Sequence, residues 1–124
     1  MKCLERNKQA FWYCRYLGKE PILDEDGKET AEYRLRYDSP VRMRANISPA
    51  AGRTDRELFG NLESYDKVIV SEDMNCPIDE QTVLFVDGVP EFNRAGDPLY
   101  DYVVRRVARS LNVVSIAISK VQSR

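Results

Sequence analysis

Few residues of this 124-residue chain belong to the types that do covalent chemistry. There is no histidine, so the commonest general base and the imidazole ligand of many zinc sites are both missing. The three cysteines, Cys3, Cys14 and Cys76, form no Cys-x-x-Cys pair, and none has a histidine to activate it. A Cys/His metal site is excluded on those grounds. Ser48 stands before Pro49 instead of in a Gly-x-Ser-x-Gly elbow, and Ala51-Gly52-Arg53 offers a lone glycine where a phosphate loop needs several. The run Asp24-Glu25-Asp26-Gly27 invites calcium, but Ile22 sits where an EF-hand needs its first aspartate. Glu72, Asp73, Asp79 and Glu80 supply carboxylate pairs of the kind any acidic surface offers. These residues predict no enzyme activity and no cofactor.

Non-covalent chemistry is better represented. Trp12, Tyr13 and Tyr16, with arginines nearby, suit stacking on bases, so an oligonucleotide-binding barrel is one reading. The charge balance opposes it: nineteen basic against twenty acidic residues give −1, far from the basic excess of a dedicated nucleic-acid binder. Arg34, Arg36, Arg42 and Arg44, and again Arg105, Arg106 and Arg109, read as solvated strand faces. An odd number of widely spaced cysteines, with no secretory signal, predicts reduced thiols in a cytoplasmic setting. No apolar run approaches the ~20 residues that span a bilayer, so no membrane is expected among the partners.

These side chains have to be positioned by β structure. At this length one domain, 1–124, is expected. Ala10 to Leu17 is rich in strand-favouring aromatics and stops at Gly18. Phe11, Tyr13 and Arg15 share one of its faces; Trp12, Cys14 and Tyr16 share the other. Both faces are bulky, which predicts neighbours on each side or a place over a barrel mouth. Asp26-Gly27 marks a hairpin tip, and Tyr33-Arg34-Leu35-Arg36-Tyr37 then alternates until Asp38-Ser39-Pro40 breaks it. Further strands are predicted over 41–47, 65–71, 82–86, 100–104 and 113–119. The last turns Val114, Ile116 and Ile118 to one face and small residues to the other. Asp87-Gly88 reads as another hairpin turn. Over 103–111 the phase shifts, which fits either a bulged strand or a helix. Six to eight short strands joined by such turns predict a mainly β fold, a small antiparallel barrel or sandwich; a closed barrel, which removes exposed edges, is the expected form, with a short N-terminal arm over 1–8.

One connection is out of proportion. Between the strands over 41–47 and 65–71 lie Ser48 to Ser64, against roughly 4–6 residues for a usual connection. This loop holds Leu58, Phe59 and Leu62, which a solvated linker does not need, together with Arg53 and Arg56. Thr54-Asp55-Arg56-Glu57 has capping-box spacing, so one helical turn ending at Gly60 is predicted within it.

The same stretch carries a resemblance. Arg44-Ala45-Asn46-Ile47-Ser48-Pro49-Ala50-Ala51-Gly52, Glu57-Leu58-Phe59-Gly60 and Tyr65-Asp66-Lys67-Val68-Ile69-Val70 resemble the head–tail joining proteins of long-tailed bacteriophages. These are also called head closure, stopper or head–tail adaptor proteins. The start, Met1 to Gln9, and Tyr100-Asp101-Tyr102-Val103-Val104 resemble versions from temperate phages of Gram-positive bacteria.

The resemblance implies a small β-barrel with a long loop between consecutive strands, assembled as a ring below the portal or its adaptor. The loops would project toward the channel, help retain the packaged genome and frame the docking surface for the tail. On this chain the projecting loop is 49–64, with Arg53, Arg56, Leu58, Phe59 and Leu62 as channel or interface residues. Trp12 and Tyr16 are further interface candidates. The implied partners are copies of the same chain, the portal or adaptor ring, and tail terminator or tail tube proteins, with DNA only by proximity. The implied location is the virion neck, assembled in the host cytoplasm. A loop that orders on assembly meets its entropy cost there, so a monomer is expected in isolation. A tail-completion or terminator protein is the nearest rival role.

Overall fold

Strands with one apolar face bury it against one another, and a sheet that closes on itself does so while removing both exposed edges. A computed structural model of the chain describes residues 8–49 and 65–121. The described residues form eight strands and no helix: β1 (Lys8–Cys14), β2 (Tyr16–Leu23), β3 (Glu29–Tyr37), β4 (Val41–Pro49), β5 (Lys67–Ser71), β6 (Val83–Phe85), β7 (Tyr102–Arg109) and β8 (Val114–Lys120). Six of them close an antiparallel barrel in the order β1-β4-β5-β8-β7-β6, while β2 and β3 pair as a separate two-stranded sheet. The barrel expected from the alternation is the architecture found.

Period-two alternation fills the barrel. Phe11 and Tyr13 from β1, Ala45 from β4, Ile69 from β5, Leu84 from β6, Tyr102 and Val104 from β7, and Val114, Ile116 and Ile118 from β8 share one buried cluster. Cys76, Ile78 and Val86 join it from the connecting segments. Each large apolar side chain taken out of water contributes roughly 1.5–3 kcal/mol, which makes this cluster the main source of stability. A second cluster lies on the outer side of the wall, where Cys14, Val83 and Phe85 pack with Trp12, Tyr37, Tyr100 and Val103. The predicted two-sided burial of the first strand is thus realised, with Phe11 and Tyr13 inside and Trp12 and Cys14 outside.

β7 resolves the ambiguity over 103–111. It is a strand with a register shift, Val104 facing Ile118 and Arg106 facing Ala117, so Arg105 is the extra residue of a bulge. Without that bulge, strict alternation from Val104 would turn Arg106 toward the core and Val107 toward solvent. The bulge returns Val107 to its place opposite Ile116.

Three expectations change. The aromatic run over 10–17 is broken at Arg15, where the chain leaves the barrel as β1 and continues in the separate hairpin as β2. Asp87-Gly88 does not close a tight hairpin; the neighbours β6 and β7 are joined by the long segment 86–101, stapled internally by a bridge between Phe92 and Pro98. The small side of β8 is not solvent-facing, because Ser115, Ala117 and Ser119 are all buried. Ala117 packs there with Val68, Tyr65, Val70 and Ala108. Residues 1–7 of the predicted arm lie outside the described residues, and Lys8 is already in β1.

Candidate assembly surface

The long connection starts and ends on two neighbouring strands. β4 and β5 pair antiparallel, with Pro49 opposite Lys67 and Ser48 opposite Val68, so the ladder holds both ends of the connection side by side. Residues 50–64 lie outside the described residues, and with them Arg53, Arg56, Leu58, Phe59, Leu62 and the predicted helical turn.

Trp12 and Tyr16 are described, and they occupy different surroundings. Trp12 is half-buried on the outer wall, opposite Arg42 on one side and Phe85 on the other. Tyr16 sits at the root of the β2–β3 hairpin, its ring centroid 5.8 Å from that of Tyr37, which is 6.3 Å from Tyr100. Tyr13, the third member of the stacking trio, belongs to the barrel core and is 8% exposed. A base cannot reach it without opening the barrel, so the trio does not form one stacking platform.

The hairpin expected around Asp26-Gly27 forms, and what alternation alone did not show is that it stands apart from the barrel as its own two-stranded sheet. Its tip folds as the sequence demands: Asp24 Oδ1 accepts the N–H groups of Asp26 and Lys28, and Gly27 takes a positive φ of 79° that favours glycine. Along its length Glu20 lies between Arg34 and Arg36 at 3.8 and 3.5 Å. Arg34 also donates to Asp97 Oδ1 at 2.9 Å and to the Ala95 carbonyl, tying the hairpin to the β6–β7 connection. A cleft of about 430 Å³ runs along this seam, lined by Leu35, Tyr37, Leu99 and Tyr100 among others. Yet Leu17 (50%), Leu23 (56%), Tyr33 (60%) and Leu35 (46%) remain exposed. A lone two-stranded hairpin is marginal in water, and large apolar side chains grouped on one mark a contact surface.

At one place on the barrel an ionic cluster joins three strands and the β6–β7 connection. Lys67 Nζ donates to Asp87 Oδ1 at 3.1 Å, the Tyr102 hydroxyl donates to Asp87 Oδ2 at 3.1 Å, and Lys120 Nζ lies 3.6 Å from the same oxygen. Burial works to raise the Asp87 pKa, but the Lys67 and Tyr102 hydrogen bonds outweigh it and hold the carboxyl below its ordinary value. Burial works to lower Lys67, and the bonds to Asp87 and Tyr102 hold it above its ordinary value. Beside this cluster the Asp101 carboxylate accepts the backbone N–H groups of Val86, Asp87 and Gly88 at 2.8, 2.9 and 3.1 Å. Every one of these interactions is engaged in holding segments together.

Three of the four acidic residues over 72–80 serve local structure. Asp73 and Asp79 accept N–H groups from Asn75 and Gln81 in their own turns, and Glu72 lies 3.8 Å from Lys8. Cys14 and Cys76 are free, buried thiols, Cys14 in the outer-wall cluster and Cys76 in the barrel core. Burial pushes the Cys14 thiol up to about 11, with Asp38 adding to the shift, and burial also raises Cys76. A thiol held protonated and covered is a poor nucleophile. Both cysteines are therefore expected to resist a thiol reagent at neutral pH and to react only in denaturant, followed residue by residue by peptide mass spectrometry. Fast native labelling of Cys14 would contradict its burial.

No family model matches the chain, and no curated protein or solved structure is found to be similar to it.

Proposed function

We propose that this chain is a structural protein of a bacteriophage neck, which closes the DNA-filled head below the portal or adaptor ring and offers a docking surface to the tail. One observation carries the reading: a small closed barrel has a long connection between paired neighbours β4 and β5, and a separate hairpin with bare apolar side chains. Such a barrel is suited to being flanked by other chains, and a heterologous contact repeated by rotation makes a ring. The specific role comes from the resemblance of Arg44–Gly52, Glu57–Gly60 and Tyr65–Val70 to head–tail joining proteins. That resemblance also assigns the channel-facing part to the 49–64 connection and makes the partners copies of the chain, the portal or adaptor ring and the tail.

The test is deletion of the gene from the phage or prophage that carries it, read by electron microscopy and nuclease protection of the packaged DNA. The expected result is free tails beside tailless heads that have lost their DNA. Full heads beside tails of uncontrolled length would overturn head closure in favour of a tail terminator. Normal infectious particles would overturn the neck role altogether.

A further inference from the structure

The β2–β3 hairpin presents a sheet face whose root packs on its own chain, Tyr37 against Tyr100 and Leu35 along the cleft, while its outer part, from Tyr33 to the tip, stays open. In its ladder Leu35 lies opposite Lys19 and Tyr33 opposite Pro21, so these four share a face. Tyr33 is 60% exposed and Leu35 46%, and Leu23 near the tip is 56% exposed. We infer that this face is covered by the β1–β4 wall of a second copy of the chain, with the hairpin tip lying along Arg42. The inference rests on the ring reading for its symmetry and names the two surfaces that would meet.

Charge complementarity selects the occupant. From 22 to 32 the hairpin carries Asp24, Glu25, Asp26, Glu29 and Glu32 against the single Lys28, and all six of these residues are exposed. On the outer wall Arg42 and Arg44 are exposed on β4, opposite Trp12 and Ala10 of β1. Among the described residues no carboxylate pairs with Arg42. Half-buried Trp12 beside it supplies apolar surface for Tyr33 and Leu35 to cover. Arg105 and Arg106 on β7 are the competing basic pair; Arg106 lies opposite buried Ala117, on a face with half-buried Ala108, Val70 and Tyr65 but without a tryptophan. The apolar contact would provide most of the affinity, and the charges would set register and exclude wrong partners.

The root of the hairpin meets its own wall, Tyr37 packing in the same cluster as Trp12, but its acidic tip is poorly placed to reach its own Arg42. It leaves the barrel where Tyr13 pairs with Val41, next to Arg42, and β2 then runs for eight residues. At about 3.3 Å per residue its acidic tip ends some 25 Å along the strand from that point. Donor and acceptor surfaces therefore lie at different places on one molecule. Such a contact is head-to-tail, and it closes a ring when its rotation divides a full turn.

The test mixes, at high protein concentration, two forms of the full chain, each with Cys3 replaced by serine and one new surface cysteine beside the buried Cys14 and Cys76, and joins them with a short bis-maleimide at low and high salt. Glu25→Cys with Arg42→Cys is expected to give a heterodimer yield roughly five- to ten-fold above Glu25→Cys with Arg106→Cys, falling as salt screens the charges. Reversing the tip with Glu25→Arg and Asp26→Arg is expected to weaken association, and Arg42→Glu on the other chain to restore it. Glu25, Asp26, Arg42 and Arg106 are all exposed, and circular dichroism checks that each variant is folded. Equal yields for the two pairs, no heterodimer, or a reversal without effect would overturn the contact. Equal yields alongside leaking heads in the deletion would put the ring contact elsewhere and leave the neck role standing. A specific cross-link alongside normal particles would do the opposite.

Discussion

Replacing Phe11 by alanine is expected to destabilise the folded chain by about 3–5 kcal/mol, the range for emptying a large aromatic site in a core. Phe11 is 0% exposed and faces the barrel interior from β1, opposite Met43 on β4. Both flanking ladders, to β4 and to β6, are hydrogen-bonded parts of a closed barrel, so the wall has little freedom to collapse into the space. Domains of this kind have roughly 5–15 kcal/mol in total, so the substitution would consume a large share of it. Urea unfolding followed by the single tryptophan, Trp12, measures the loss directly. Leu35→Ala on the hairpin is the control, expected to shift the isolated chain by only about 0.5 kcal/mol because Leu35 is 46% exposed. A Phe11→Ala loss below about 1 kcal/mol would mean that the barrel interior is not packed as described.

Asp101→Ala is expected to be the most damaging polar change, at about 2–4 kcal/mol, since hydrogen bonds to a charged group contribute roughly 1.5–3 kcal/mol each and are not additive. Its carboxylate accepts three consecutive backbone N–H groups, from Val86, Asp87 and Gly88. Its own N–H donates to the Leu84 carbonyl at 3.1 Å and its carbonyl accepts from Val121 at 2.9 Å. The residue therefore pins the start of the 86–101 connection to the start of β7 and to the end of β8. Val86 is only 7% exposed, so its N–H would lose its acceptor where water has little access. Amide hydrogen exchange at 86–88 should accelerate in the alanine variant, and Asp101→Asn should recover part of the protection through its remaining amide oxygen. Unchanged exchange at those amides would show that the three bonds do not hold the segment.

Asp101 illustrates where sequence reading stops. In the sequence it is one polar residue inside an alternating run, and nothing local says that its carboxylate meets the backbone of residues fifteen to thirteen positions earlier. The same holds for Arg34, whose partner Asp97 is far along the chain. Leu17, Leu23, Tyr33 and Leu35 carried a local signal, being apolar in a β-rich stretch, but that signal is identical for a core strand. Arg105 was legible as a break in phase, and its meaning needed Ile118 and Ala117 opposite to decide between bulge and helix.

What the sequence determined by itself is what one strand or one turn can encode. The alternation of Val114, Ile116 and Ile118 set an inward face, Asp24 to Gly27 set a tip, and Pro40 ended a strand, because pleat period, positive φ and a missing N–H are properties of neighbouring residues. Composition and the lack of histidine narrowed the expected chemistry in the same way. Tertiary structure alone decided that the run over 10–17 divides between barrel and hairpin, and that Tyr13 is core while Tyr33 is bare. It also decided that both sides of β8 are buried. The physical reason is that alternation says two faces differ, whereas what each face meets depends on pairings between strands distant in the chain.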